Sequence, residues 1–362
     1  MIRSGQIVAF YLFDIADTVD LTTVPSLLGG PSAAMKFAPK ATTPSYVQYE
    51  KPPVAFDGET VGVSTVDGFH VRFRLYDYGV VSVSFSRPFT GNWAELAELG
   101  QTLIENADLE QRADRLCRDV ATKLRRALVG LRDDFLSEDY LVFAVHAIDP
   151  PLAGDRLLAE SGETIAAMLR GERERLSDQE RSTILGHSIS YFQRDLVIPT
   201  WNAALVYDTE AGSWAALEIL EFANSQLLEF RYYDRLLDVQ LAAIYEQLRR
   251  PRWSHALIGS RYTRAAQQVH SLFIDVNELT DRTENALKFV GDIYAARLFS
   301  LIADRLGLQR WKANVQEKLQ TLDAIYRFAV ERTSMSRGQF LELTVVLILV
   351  LELLLVFLGV MR

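Results

Sequence analysis

With 362 residues, 49% of them hydrophobic and 23% charged, the chain can build a sizeable core and has room for two domains. A formal net charge of −9 argues against nucleic-acid binding by bulk electrostatics. The single cysteine, Cys117, excludes an internal disulfide and a multi-cysteine metal site, as in a reducing compartment.

The run Gln6-Ile-Val-Ala-Phe-Tyr-Leu-Phe13 is short, aromatic and ends at Asp14, so it reads as a strand rather than a signal peptide. Residues 21–58 hold six of the 11 prolines (Pro25, Pro31, Pro39, Pro44, Pro52 and Pro53). Proline gives no ladder donor and turns its predecessor away from helix, so a long surface excursion is expected there. Strands resume at Thr60–Val66. Asp67-Gly68 is a tight-turn dipeptide, and Phe69–Tyr76 then alternates apolar with polar, the best hairpin signal in the chain. Val80–Phe85 alternates again.

Helical spacing begins after Gly91-Asn92 and runs through Leu96, Leu99, Leu103, Leu109, Leu116, Val120 and Leu124. Glu138–His146 reads as a buried strand stopped by Pro150-Pro151, followed by two short helices near 153–170 and 176–182. Ile189–Phe192 and Leu196–Ile198 could be strands and Trp201–Asp208 reads as one more, with Pro199 putting a break or an edge between Ile198 and Trp201. These elements predict an α+β domain over 1–210, a largely antiparallel sheet with helices on one face.

After Gly212 the pattern is helical throughout. Trp214 to Ile244 gives one long helix. A second, from about Tyr262 to Leu306, carries a heptad seam from Val269 to Ile293, and a third starts near Gln309. Residues 211–338 are therefore expected to form long helices ending in an antiparallel coiled-coil hairpin that self-associates. Phe340–Met361 is apolar apart from Glu342, Thr344 and Glu352. A helix of this length spans about 33 Å, and its aliphatic residues outweigh the cost of about 3 kcal/mol for a central acid. This predicts one C-terminal transmembrane helix over 340–361. Lys318, Arg327, Arg332 and Arg337 upstream place the preceding bulk on the cytoplasmic side of a bacterial inner membrane. An acid inside such a span is functional or paired by default, which singles out Glu342 and above all Glu352.

With these residues in place, the chain resembles the required-for-meiotic-nuclear-division family of membrane-anchored proteins. Tyr76-Asp77-Tyr78-Gly79-Val80-Val81, Leu236-Leu237-Asp238-Val239 and the terminal Leu341-Glu342 run with Glu352 carry the resemblance, although Ser82-Val83-Ser84 stands where that family often places an aromatic pair. The resemblance implies a membrane-tethered homo-oligomer without an established catalytic activity.

No catalytic constellation is complete. Gly186-His187-Ser188-Ile189-Ser190 lacks the closing glycine of a nucleophile elbow. The five histidines show no metal-ligand spacing, and His146 reads as a hydrogen-bonded core residue. No cofactor is expected. Asp195, Trp201, Asn202, Tyr207 and Asp208 could line a pocket or interface, or form a strand with capped turns. Glu221, Asn224, Glu229, Arg231, Tyr233, Asp234 and Arg235 read as similarly polar positions on the following helix, where they could equally solvate an outer face. Two functions remain. One is a non-enzymatic membrane scaffold that self-associates and recruits a protein partner, with the lipid bilayer as its support. The other is an enzyme or ligand sensor with a pocket between the α+β domain and the first long helix.

Overall fold

The computed structural model describes residues 1–29, 52–104, 107–249, 272–278, 280–281, 293–325, 327 and 345–346. The chain forms two compact units: Met1–Tyr232 with Asp281–Trp311, and Tyr233–Thr280 with Lys312–Arg362.

The first unit is built on an eight-stranded mixed sheet. Its strands are β1 (Ile2–Asp14), β3 (Val54–Asp57), β4 (Thr65–Val66), β5 (Phe69–Leu75), β6 (Val80–Gly91), β8 (Leu136–Ile148), β9 (Leu196–Pro199) and β10 (Ala203–Tyr207), in the order β3-β5-β6-β1-β8-β10-β9 with β4 beside β5. All pairs are antiparallel except β8 with β10. A small ladder joins β2 (Thr18–Val19) to β7 (Leu128–Val129). The expected turn forms, with Val66 paired to Phe69 and both Asp67 (φ 51°) and Gly68 (φ 79°) in the left-handed geometry of a two-residue turn, but the strand expected over 60–66 is only Thr65–Val66, after a 3-10 turn at Gly58–Val61. Gly79 is required by its surroundings. It has φ 95°, its carbonyl accepts from the Ile15 amide, and a Cβ there would lie 1.7 Å from the Ala16 carbonyl oxygen.

The helices of this unit are α1 (Val24–Gly29), α2 (Trp93–Ile104), α3 (Ala107–Lys123), α4 (Gly154–Arg170), α5 (Asp178–Gly186), the long α6 (Glu210–Arg249), whose residues to Tyr232 belong here, and α7 (Ile293–Arg305). Asn92 opens α2 with a reciprocal capping box: its amide donates to Glu95 and the Glu95 amide donates back to its side chain.

Contrary to expectation, helices cover both faces of the sheet. Ile7, Ala9, Tyr11 and Phe13 of β1 face an apolar core with Leu96, Leu103, Ala113, Cys117, Val120, Leu157 and Ile165 from α2, α3 and α4. The alternate residues Phe10, Leu12 and Asp14 are equally buried on the other face, which α6 covers. The reason lies in β1 from Ile7 onward, the middle of β8 (140–145) and all of β10, which are buried without alternation, the pattern of strands shielded on both sides. The sheet is also mixed rather than purely antiparallel, because β10 joins β8 in parallel after the excursion through α4, α5 and β9.

In the second unit, Leu237, Ile244, Val276, Val315, Leu319 and Leu322 are buried, and the Lys318 ammonium lies 2.7 Å from both Asp234 and Asp238. Helical structure in this unit is described over 233–249, 272–278 and 312–325. Most of the heptad seam, including Val269, Ala286 and Val290, lies outside the described residues.

The expected transmembrane helix needs correction. Among the described residues no helix is long and apolar enough to cross a membrane. A span needs about 20 residues in one helix. Of 340–361 only Val345 and Val346 are described, so Glu342 and Glu352 lie outside the described residues. The single-pass inner-membrane location rested on that helix and is not supported by the described residues.

Candidate functional site

The least ordinary part of the first unit is the layer between the sheet and the inner half of α6. Residues 216–230 of that helix are all buried, although they include Glu218, Glu221, Asn224, Ser225, Gln226 and Glu229. Glu218, Glu221, Ser225, Glu229 and Tyr232 recur at steps of three and four, so they share one helical face. Their contacts with the strands and turns of the unit make it the face turned to the sheet.

At one end of the layer Arg74 of β5 meets two acids. Its Nη2 is 3.2 Å from Glu218 and its Nε is 2.9 Å from Glu221. Ser82 stands directly across from Arg74 on β6 and is fully buried. In the middle, Tyr76 and Tyr78 stack at 5.2 Å between ring centroids, Tyr76 leans on Phe222, and the Tyr78 hydroxyl and Ser225 hydroxyl share a hydrogen bond of 2.6 Å. At the far end Arg132 donates to Asp14 and to Asp17, each at 2.9 Å, and its guanidinium lies 3.8 Å from the Tyr232 ring centroid. Arg231 pairs with Glu138 nearby.

Burial dominates the electrostatics here. It pushes the Asp14 carboxyl up to about 7, against the pull of the Arg132 guanidinium. Burial likewise raises Glu218, with Arg74 opposing and Glu221 reinforcing, and raises Tyr232. Arg132 stays firmly charged: burial alone would lower it, but Asp14 and its other acidic neighbours outweigh that. Among the described residues, Asp14 Oδ1, Ser82 Oγ, Glu218 Oε2 and Asn224 Oδ1 are buried without a hydrogen-bond partner. Buried ion pairs of this kind add little net stability over apolar residues of the same shape, so stability does not account for the layer.

The residues singled out by sequence are not gathered into one pocket. The Asp195 carboxylate accepts the amides of Tyr191 and Phe192, pinning the turn before β9. Asp208 accepts the Thr209 amide at the start of α6 and packs against Gly212. These two acids are neighbours at the carboxyl ends of parallel β8 and β10, where His146 shares a hydrogen bond with Ser213; burial raises Asp208, and Asp195 adds to it. Tyr207 is buried in the apolar core and donates its hydroxyl proton to the Leu152 carbonyl. Trp201 and Asn202 sit at the opposite end of β10, roughly 17 Å away for a five-residue strand. Asn202 accepts from Thr200, and Trp201 is exposed.

Sequence reasoning passed over Asp14, Arg74, Ser82 and Arg132 and left Glu221 and Glu229 open as an outer polar face. The available signal was the three-and-four recurrence of Glu218, Glu221, Ser225, Glu229 and Tyr232, in a stretch whose remaining positions are apolar apart from Asn224, Gln226 and Arg231. Among the described residues no group of His, Cys, Asp and Glu is arranged to hold a metal ion. An open groove of about 380 Å³ runs between α2 and α4, lined by Ala97, Gln101, Thr164 and Met168 among others.

A family model described as "Uncharacterized protein MJ0711, N-terminal domain" matches residues 4–214. The uncharacterized protein MJ0711 of Methanocaldococcus jannaschii is 24% identical over 223 residues, which cover 62% of this chain and 66% of that protein, just under two thirds of its length. No solved structure matches. The matched family is thus not the required-for-meiotic-nuclear-division family. Tyr76-Asp77-Tyr78-Gly79, which suggested it, is the β5–β6 turn and its stacked tyrosines, a short constraint that hairpins of different families can share.

Proposed function

The chain belongs to the family of the MJ0711 N-terminal domain, and from that premise we propose that it is a non-catalytic binding module whose first unit recruits a protein partner. One observation carries the reading. Tyr191, Phe192 and Trp201 are 63%, 71% and 60% exposed, and all three flank β9, the last strand of the sheet. Aromatic side chains held at a surface are the usual anchors of protein interfaces. Tyr191 and Phe192 are held by the Asp195 clip, by their edge-to-face contact and by the Tyr191 ring against Tyr294.

The strand edge itself is blunted. Val197 exchanges both backbone hydrogen bonds with Ile189, and Pro199 has no amide to offer. A partner therefore docks on side chains rather than by adding a strand. The heptad pattern from Val269 to Ile293 supports self-association as part of the same reading. Photo-crosslinking from position 192 or 201 in the native host tests it. A discrete protein adduct from these positions, absent from exposed Val129, is expected, and Tyr191→Ser should diminish it. Adducts no different from those at Val129 would refute the reading.

The alternative, a ligand sensor, draws on Ser82 Oγ and Asn224 Oδ1, buried polar atoms without partners among the described residues. Native mass spectrometry of the intact protein distinguishes it: a stoichiometric small molecule, lost in Asn224→Leu, would favour the sensor over the module.

A further inference from the structure

We propose that Asp14 and Arg132 form a proton-operated latch, which seats the inner half of α6 on the sheet when Asp14 is protonated and loosens it at Glu229 and Tyr232 when Asp14 ionises. The geometry begins with Asp14 itself. It closes β1 and is fully buried; one carboxylate oxygen accepts from Arg132 at 2.9 Å, and the other has no hydrogen-bond partner among the described residues. Arg132 is held from three sides, by Asp14, by Asp17 and by the Tyr232 ring.

The charged and titratable groups around Asp14 come from every element packed there. The β1–β2 turn brings Asp17, and the segment before β8 brings Arg132. The inner half of α6 brings Glu229 and Tyr232. Slightly further off, β8 brings Glu138, already paired with Arg231, and the β5–β6 turn brings Tyr78, bonded to Ser225. One guanidinium is thus shared between two hydrogen-bonded carboxylates, those of Asp14 and Asp17. The surplus negative charge is least tolerable at the most buried carboxylate, and that is Asp14.

Burial moves the Asp14 carboxyl from 3.8 to about 7. The native state therefore holds this proton across a window in which the unfolded chain has released it, and stability falls as pH rises through that window. Tyr232 is the last residue of the first unit before α6 continues, so the latch acts where the helix leaves that unit.

Hydrogen exchange on the full chain tests this, with intrinsic rates corrected for pH. Protection of residues 226–234 should fall about tenfold between about pH 6 and about pH 8, the effect of one pKa unit. Asp14→Asn should abolish that fall. Arg132→Lys keeps the charge but loses the Nε hydrogen bond and should move the midpoint upward, which decides the matter even if Asp14→Asn does not fold. Protection independent of pH in the native chain, an Asp14→Asn variant with the native pH dependence, or an unmoved midpoint in Arg132→Lys would each overturn the latch.

Discussion

The two faces of one sheet are built in opposite ways. Under α2, α3 and α4 the sheet meets an apolar core in which Phe13, Phe73, Phe85 and Phe143 are buried among Leu, Ile and Val. Under α6 the same strands meet Arg74, Tyr78, Asp14 and a helix face carrying Glu218, Glu221 and Glu229. The first face shows that this chain can bury a sheet with hydrocarbon alone. The second is therefore a departure that stability does not require, since taking ions out of water offsets most of what their pairing contributes. It specifies one seating for α6, because each charge has its partner at only one position along the helix.

The apolar face should give the largest single loss of stability. Phe143 is fully buried and its ring fills the space against Gly100. Phe143→Ala is expected to cost about 4 kcal/mol in chemical denaturation, as a core cavity does. A cost under about 1 kcal/mol would mean that this face is not the main core. On the charged face, Arg74→Met strands Glu218 and Glu221 and should cost about 3 kcal/mol near neutral pH. Adding Glu218→Leu and Glu221→Leu to it should restore native stability or exceed it. If the triple variant remains as unstable as Arg74→Met, the ion pairs contribute more than apolar packing could, and the contrast between the faces collapses. The smallest effect belongs to Tyr78→Phe. It removes the hydrogen bond to Ser225 but keeps the ring stacked on Tyr76, for a loss of about 1 kcal/mol.

Much of the fold was legible wherever the determinants are local. The Asp67-Gly68 hairpin, the strand Leu136–Ile148 read as 138–146, and the helices Gly154–Arg170 and Asp178–Gly186 read near 153–170 and 176–182 follow from turn chemistry, period and proline placement. The apolar run 340–361 was equally conspicuous. Of that run only Val345 and Val346 are described. Among the described residues no helix is long and apolar enough to cross a membrane.

The candidate site was legible in halves. The polar stripe of α6 is periodic in the sequence, but the same stripe suits an outer solvated face, and nothing local separates the two. The tyrosines of the β5–β6 turn stood out as a motif without revealing that they stack under α6. Asp195 and Asp208 were marked as polar punctuation, and each does pin a turn or a helix start. Trp201 was marked beside them, yet it lies at the other end of β10 on the surface.

By itself, then, the sequence determined the elements, their order and the hairpin register, because each depends on residues a few positions apart. Only the tertiary structure decided which face of the sheet each helix covers and what the buried charges meet. Arg74 finds Glu218 across 144 residues, and Arg132 finds Asp14 across 118. A charge that will be buried looks in sequence like a charge that will be solvated. The partner that makes its burial tolerable is brought to it only when the sheet closes and α6 is laid across it.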